Sequence, residues 1–299
     1  MSLPARVTLV EVGPRDGLQN ESARIAAADK IAFVDRLSQA GHKVIEVSAF
    51  VSPNWVPQMA DAADVFEGIT RRPGTRYTAL VPNLAGLDRA VEAKADEVAI
   101  FAAASESFSR KNINQGIEES LAAYRAVCER ANAAGLPVRA YLSTAFGCPF
   151  EGAVAPEAVA EVSAALIEMG AYEVAVSDTI GIAHPGQVPI VIDAVAARVP
   201  LDRIALHFHD TRGTALANVL MALQLGVTTF DASAGGLGGC PYAPGATGNL
   251  ATEDLLYMLD GLGIQTGVNI DKVLAASRFI EEKLGHPLAS RYAAATRSK

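Results

Sequence analysis

Eight short apolar runs rich in β-branched residues are spaced along the chain, and longer segments with helical periodicity separate them. This alternation constrains the fold more than any other feature, because a strand followed by a crossover helix is the unit of a parallel sheet. Successive runs begin roughly 20 to 40 residues apart, which suits one β/α unit each. The runs predict strands at residues 7–12, 43–50, 76–81, 97–103, 137–144, 172–178, 203–209 and 227–233.

The segments between these runs have the apolar spacing of amphipathic helices. After the first run, apolar residues recur at helical spacing from Ile25 to Leu37, and Gly41 supplies a stop signal. Eight such units without a linker predict a closed (β/α)8 TIM barrel of the α/β class, in a single domain over residues 1–299. An open doubly wound sheet is the alternative, although no GxGxxG motif follows the first strand. Residues 269–299 predict a C-terminal helical extension that ends in a polar tail.

Composition excludes several classes of protein. The chain of 299 residues has a formal net charge of -8, and its 25 Lys and Arg residues are thinly spread, so no nucleic-acid partner is expected. No window approaches about eighteen apolar residues and the N-terminus lacks a signal-peptide pattern, so we expect a cytoplasmic protein with no membrane partner. Cys128, Cys148 and Cys240 have no CxxC spacing, which argues against a disulfide framework and a zinc ribbon.

Polar residues occur where the predicted strands end. Arg15 and Asp16 follow the first strand, Glu46 interrupts the apolar second strand, and Asp178 ends the sixth. Because active sites of TIM barrels lie at the C-terminal ends of the strands, these side chains are expected on one rim. Each also has a structural reading: Arg15 with Asp16 as a loop salt bridge, Glu46 as a buried ion pair with an arginine, and Asp178 as a turn or helix cap.

His207 and His209 are the most informative pair on this rim. Residues two apart on a strand point to the same face, about 7 Å from each other, so both imidazoles are expected at the barrel mouth. Two imidazoles and a carboxylate predict a metal site, and nitrogen and oxygen donors without thiolate favour Mg²⁺, Mn²⁺ or another divalent first-row ion. A hydrogen-bonded or surface role for the histidines is the alternative.

Further rim positions carry weaker signals. Asn112 follows the fourth strand and offers an amide to a substrate oxygen or to a turn. Tyr141 on the fifth strand either presents its hydroxyl to the mouth or packs. Trp55 is predicted to be a packing anchor for the loop after the second strand, and Cys128, inside a predicted helix, is expected to be buried and inert.

With these residues in hand, the chain resembles the 3-hydroxy-3-methylglutaryl-CoA lyase family, a group of metal-dependent TIM-barrel enzymes. The resemblance implies cleavage of 3-hydroxy-3-methylglutaryl-CoA to acetoacetate and acetyl-CoA, an acyl-CoA thioester as substrate, and a homodimer or higher homo-oligomer. A lyase for a longer 3-hydroxy-3-alkylglutaryl-CoA, or a Claisen synthase or aldolase acting on a 2-oxo acid, is the alternative. The matching segments span most of the chain: residues 11–21, 45–61, 177–181, 207–213 and 235–254.

The resemblance also implies roles for individual residues. Asp16, His207, His209 and Asn249 would ligate Mg²⁺ or Mn²⁺, and Cys240 would supply a thiol needed for turnover. Arg15 would hold the substrate carbonyl region, with Glu46 and Asp178 supporting the site. The expected catalytic residues are Arg15, Asp16, Glu46, Asp178, His207 and Cys240, and the expected substrate contacts are Arg15, Gln19, Asn112 and Tyr141. Thr144 and Phe150 depart from residues common in the family and leave the acyl-chain preference open.

The glycine-rich stretch GGLGGCPYAPGATGN, residues 235–249, is expected to follow the eighth strand as a lid. Gly235, Gly236, Gly238 and Gly239 would let the backbone bend, and Pro241 would stiffen the far side. Closure would bring the thiol of Cys240 over the metal and exclude water from a reactive enolate. A thiol is acidic enough to donate a proton to carbon and basic enough to recover it, so Cys240 is expected to be the proton carrier.

Overall fold

The computed structural model describes residues 3–239 and 248–297, and within them eight parallel strands close into a barrel. Each strand pairs with the next along the chain, and β1 pairs with β8 to close the barrel. The predicted (β/α)8 fold is therefore confirmed. The strands are β1 Thr8–Glu11, β2 Val44–Ala49, β3 Arg76–Leu80, β4 Glu97–Ala103, β5 Val138–Ser143, β6 Glu173–Asp178, β7 Ile204–Phe208 and β8 Thr229–Ala232.

Helices follow the strands and form the outer layer. The first begins at Ala27 and ends at Ala40, where Gly41 takes a left-handed φ of 103° as the predicted stop signal. The helices of the described residues are α1 Ala27–Ala40, α2 Ala62–Gly68, α3 Leu84–Glu92, α4 Glu106–Ile113, α5 Ile117–Ala133, α6 Pro156–Glu168, α7 Val188–Ala196, α8 Ala215–Gln224, α9 Thr252–Gly261, α10 Ile270–Leu284 and α11 Arg291–Ala295.

The core explains why the strands read as continuous apolar runs instead of alternating ones. Every residue of β2 and β6 is buried, because one face of each strand lines the barrel interior and the other packs under the helices. Cys128 of α5 is part of this core, as predicted, and burial raises the pKa of its thiol to about 11. Within the described residues, none of the helices combines the length and apolar character that a bilayer span requires.

The C-terminal extension is more structured than the predicted polar tail. Helix α10 packs along α1, and after it the chain turns back so that α11 lies beside the rim. Asp254 of α9 accepts hydrogen bonds from the backbone N–H groups of Arg291, at 3.0 Å, and Tyr292, at 2.8 Å. Arg291 Nη1 also lies 2.7 Å from Asp210 Oδ2 just beyond β7. The predicted helical extension is present as α10, and the predicted polar tail includes the short helix α11, whose docking depends on groups from α9 and from the segment after β7.

Candidate active site

A tight turn after β1 positions Arg15 and Asp16 at the barrel mouth. Residues 13–17, GPRDG, form a single π-helical turn in which the carbonyl of Val12 accepts the N–H groups of Asp16, at 2.8 Å, and Gly17, at 3.2 Å. A π-helical turn is wider than an α-helical one, and such turns are frequent at functional sites. The turn places the two charged residues next to each other, and Arg15 Nη1 lies 2.5 Å from Asp16 Oδ1.

Asp16, His207 and His209 come together as the metal-site prediction requires. One ligand atom from each of the three lies within 4.8 Å of the others, which is close enough to share one ion. His207 lies on β7, and His209 is the first residue after that strand. His209 forms an antiparallel bridge with Asn249. The sequence separation of two residues therefore places both imidazoles on the same side of the rim, as expected.

Asn249 lies next to this group, where the segment after β8 meets the turn after β1. Its Nδ2 donates to Asp16 Oδ2 at 2.9 Å and to the carbonyl of Leu237 at 3.2 Å. Its Oδ1 is buried and has no hydrogen-bond partner in the described residues, and the same is true of His209 Nδ1. Buried polar atoms without partners are costly, so an amide oxygen and a ring nitrogen left bare beside a carboxylate fit a bound cation.

The charge states of the three grouped side chains suit a cation. Burial opposes ionisation of Asp16, but the guanidinium of Arg15, the two histidines and the hydrogen bond from Asn249 together outweigh burial and keep the carboxyl pKa well below its usual range. Burial and the neighbouring His207 lower the pKa of His209 to about 3, so its ring is the neutral form that binds metals. Burial also lowers the pKa of His207, yet the hydrogen bond and charge of Asp231 together with the charge of Asp16 outweigh burial and raise it.

Arg15 is fixed from three sides, by Asp16, Glu46 and Tyr141. Its Nε lies 2.6 Å from Glu46 Oε2 on β2, which is the buried ion pair considered for that carboxylate. Its guanidinium carbon lies 5.3 Å from the ring centroid of Tyr141, within cation–π distance. Glu46 is fully buried and its Oε1 has no hydrogen-bond partner among the described residues. Arg15 therefore holds one orientation at the mouth.

A cavity of about 900 Å³ opens above these groups. Gln19 and Asn112 line it, as two of the predicted substrate contacts, and Asn112 lies within α4 instead of a turn. Gln19 Nε2 donates to Asp16 Oδ1 at 3.4 Å. Of the predicted site residues within the described chain, those that line the cavity are Arg15, Asp16, Gln19, Asn112, Tyr141, His207 and His209.

Asp178 lies apart from this lining and has the turn contacts considered for it. Its two carboxylate oxygens accept the N–H groups of Ile182 and Ala183, each at 3.0 Å, and so hold the loop after β6. Burial raises the pKa of this carboxyl to about 6. Cys240, the predicted thiol, lies outside the described residues.

The first part of the glycine-rich stretch is anchored to the barrel. Gly235 N–H donates to Glu253 Oε2 at 2.8 Å, and Gly235 and Gly236 are both buried. Gly238 has a φ of 114°, and a Cβ there would lie 2.9 Å from Asn249 Nδ2, so only glycine leaves room for that amide. Within the described part of the stretch, Gly235, Gly236 and Gly238 are thus packed against the barrel or hydrogen-bonded to it.

The prediction for Trp55 was wrong. Its side chain is 75% exposed and stands at the mouth of the cavity, instead of packing beneath the loop after β2. The residue type alone suggested burial, but the loop forms a turn that projects from the barrel at this point.

Comparison with known proteins places the chain in a family. The sequence profile of the HMGL-like family matches residues 6–280. The chain belongs to the HMGL-like family. It is 54% identical over 291 residues to a hydroxymethylglutaryl-CoA lyase of Bacillus subtilis, and the alignment covers 97% of each chain.

Solved structures of HMGL-like proteins share the whole fold. The hydroxymethylglutaryl-CoA lyase from Pseudomonas aeruginosa is 53% identical, has a TM-score of 0.98 and covers 100% of this chain and 99% of that one. An HMG-CoA lyase from Acinetobacter baumannii, in complex with coenzyme A and 3-methylmalate, is 37% identical with a TM-score of 0.94. That alignment covers 100% of this chain and 98% of the other.

Sequence reasoning missed a buried charged group beneath the site of this HMGL-like chain. Asp231 on β8 contacts His207 Nδ1 at 3.1 Å, and Arg139 on β5 bridges Asp231 to Glu173. A charged residue inside an apolar run, as at Glu46, is the sequence signal that could have identified this buried group. The same signal was present at Arg139, Glu173 and Asp231.

Proposed function

We propose that this chain is a lyase that cleaves 3-hydroxy-3-methylglutaryl-CoA to acetoacetate and acetyl-CoA. The observation that carries the proposal is the group of Asp16, His207 and His209, with Arg15 beside it, at the mouth of a cavity of about 900 Å³. The 54% identity to a hydroxymethylglutaryl-CoA lyase over 97% of the chain supports the choice of reaction.

The proposal includes a divalent cation, Mg²⁺ or Mn²⁺, held by Asp16, His207, His209 and Asn249. Oxygen and imidazole donors without thiolate suit these ions. The unpartnered oxygen of Asn249 and the unpartnered nitrogen of His209 support the assignment. When bound, such an ion lowers the pKa of a substrate hydroxyl and withdraws charge as a Lewis acid.

The side chains of this chain can carry the proton and charge movements. The tertiary hydroxyl of the substrate gives its proton to a carboxylate oxygen of Asp16, the C2–C3 bond breaks, and its electron pair passes into a thioester enolate. Arg15 is always cationic and is fixed by Glu46, so it can stabilise the charge that develops on the thioester oxygen. Protonation of the enolate at C2 completes acetyl-CoA, and we assign that proton to the Cys240 thiol.

The cavity supports an acyl-CoA thioester as substrate. The Acinetobacter baumannii HMG-CoA lyase, which shares the fold over the whole chain, was solved with coenzyme A and 3-methylmalate. We assign substrate contacts to Gln19, Asn112 and Tyr141, because their side chains line the cavity around the metal group. Asp178 would act from behind this lining by holding the loop after β6.

The proposal also extends to a single catalytic domain, residues 1–299, that forms a homodimer or higher homo-oligomer. Light scattering coupled to size-exclusion chromatography measures the molar mass in solution. A mass of at least twice 31.2 kDa is expected, and a mass of one chain would contradict the oligomer while leaving the assigned reaction untouched.

A panel of thioesters tests the reaction. Purified protein with Mn²⁺ is incubated with 3-hydroxy-3-methylglutaryl-CoA and with analogues that carry longer alkyl groups at C3, and acetyl-CoA is measured. The methyl compound is expected to have the highest kcat/KM, and His209→Ala, which removes one ligand, is expected to lose both metal and turnover. A preference for a longer branch would change the assigned substrate, and turnover by metal-free His209→Ala would refute the assigned site.

A further inference from the structure

Asp231 lies on β8 directly beside His207, and the two residues are paired in the β7–β8 register. Its side chain is completely buried, and its Oδ2 lies 3.1 Å from His207 Nδ1. The other ring nitrogen of His207, Nε2, is on the opposite side and lies 3.9 Å from Asp16 Oδ2. The imidazole therefore stands between a carboxylate below it and the candidate metal group above it.

Arg139 keeps the Asp231 carboxylate in place. Its Nη2 lies 2.7 Å from Asp231 Oδ1 and its Nη1 lies 3.2 Å from Oδ2, so the pair is bidentate. Its Nε donates to Glu173 Oε1 at 2.7 Å, and its guanidinium carbon lies 5.0 Å from the ring centroid of Tyr141. These contacts leave Asp231 no freedom to turn away from His207, and a buried guanidinium favours the ionised form of its partner.

An ionised carboxylate has no hydrogen to donate, so the hydrogen of the Asp231–His207 contact must be on the ring nitrogen. Nδ1 of His207 therefore carries a proton, and in the neutral ring the lone pair is on Nε2. Nε2 is the nitrogen that faces Asp16. Metal-binding histidines almost always donate their other ring N–H to a carboxylate, a backbone carbonyl or water, and this partner fixes the tautomer and raises the basicity of the ligand.

We propose that Asp231 is a positioning residue that fixes the ring orientation and tautomer of His207 so that Nε2 presents its lone pair to the divalent cation. Arg139 holds Asp231 in the bidentate geometry that this requires. The inference deepens the proposed function and rests on it, since it takes His207 as a metal ligand.

Asp231→Asn tests the inference, because the amide keeps the shape of the side chain but can donate a hydrogen to Nδ1 and so favour the other tautomer. Metal-free protein is titrated with Mn²⁺ and the dissociation constant is measured by calorimetry. Loss of a carboxylate partner of a metal-bound histidine typically weakens metal affinity about 10- to 100-fold, and a loss in that range is expected.

Glu173→Gln is the matched control. It removes the charge of the other carboxylate on Arg139 but leaves the Asp231–His207 contact intact, so Mn²⁺ affinity should stay within about threefold of wild type. Equal affinities of Asp231→Asn and wild type for Mn²⁺ would overturn this inference but leave the proposed function intact. Equal losses in both variants would also overturn it, because they would indicate a general disturbance of the buried ion pairs. Absence of Mn²⁺ binding by wild type would overturn the proposed function as well.

A measurement on the wild-type protein avoids any folding defect of the variant. Histidine is labelled with ¹⁵N, and the His207 signals are assigned by their loss in His207→Gln. In metal-free protein at alkaline pH, where the ring is neutral, the directly bonded proton is expected on Nδ1. A proton on Nε2 would overturn the inference.

Discussion

Asn249 Nδ2 donates a hydrogen bond of 2.9 Å to Asp16 Oδ2, although the two residues are 233 positions apart in the sequence. The bond joins the segment after β8 to the turn after β1, on either side of the seam where the barrel closes. Because the amide nitrogen faces the carboxylate, the amide oxygen is left without a partner among the described residues. Formation of the candidate metal group is thus coupled to closure of the barrel.

Asn249→Ala is expected to weaken Mn²⁺ binding, because it removes the unpartnered oxygen that we assign as a ligand. A loss beyond the roughly 10- to 100-fold typical of indirect partners is expected in a calorimetric titration of the metal-free protein. Gln19→Ala is the control, since Gln19 also donates to Asp16 but is not assigned to the cation. If the two variants lost affinity equally, Asn249 would serve only to hold Asp16.

Arg15→Gln is expected to lower kcat by about 10²- to 10³-fold with little change in KM, because the lost charge acts on the developing enolate. Steady-state kinetics with 3-hydroxy-3-methylglutaryl-CoA measures both constants. Arg24 is an exposed arginine that lines the same cavity, so Arg24→Gln removes equal charge without touching the metal group. An effect of Arg15→Gln on KM alone would show simple substrate binding instead.

Cys240→Ser is expected to reduce kcat by roughly 10²- to 10⁴-fold, the range for loss of a general acid, while Mn²⁺ affinity stays unchanged. The reason is that a serine hydroxyl is far less acidic than a thiol. Cys128→Ala provides the control, because that thiol is buried in α5 away from the cavity and should not affect kcat. Full activity of Cys240→Ser would rule out the proton-carrier role.

Glu11 is expected to make stability depend on pH. Burial raises the pKa of this carboxyl from its ordinary value of 4.5 to about 8 in the folded protein. Between these values the folded state binds the extra proton, so the contribution of Glu11 to stability is complete below pH 4.5 and is lost as pH rises through about 8.

The Glu11→Gln variant isolates that contribution, because its amide does not titrate. The free energy of unfolding of Glu11→Gln minus that of wild type should increase from pH 5 to pH 8, by at most about 1.4 kcal/mol per pH unit. Urea denaturation at several pH values measures this difference in metal-free protein. A difference that is constant over this range would show that Glu11 has an ordinary pKa in the folded state.

The strands and the candidate metal group, Asp16 with His207 and His209, were accessible from sequence because their signals are local. His207 and His209 lie two apart at the end of an apolar run, and Asp16 follows another run directly, so strand geometry alone places them on one rim. The predicted seventh strand, residues 203–209, is longer than the observed Ile204–Phe208, but this difference does not move either histidine to another face.

The support beneath the site was not accessible in the same way. Arg139 and Asp231 are 92 positions apart and meet only because β5 and β8 both line the interior of the closed barrel. A charged residue in an apolar run indicates a buried ion pair but does not name the partner. The exposure of Trp55 and the docking of α11 likewise depend on how loops and distant helices pack, which local spacing does not encode.

Cleavage of 3-hydroxy-3-methylglutaryl-CoA in D₂O tests the central claim most directly. The Mn²⁺-loaded protein is incubated with the thioester, and mass spectrometry measures the amounts and the molecular masses of the products. The account predicts equimolar acetoacetate and acetyl-CoA, with one deuterium in the acetyl methyl group from protonation of the enolate. Absence of cleavage, or acetyl-CoA without deuterium, would contradict it.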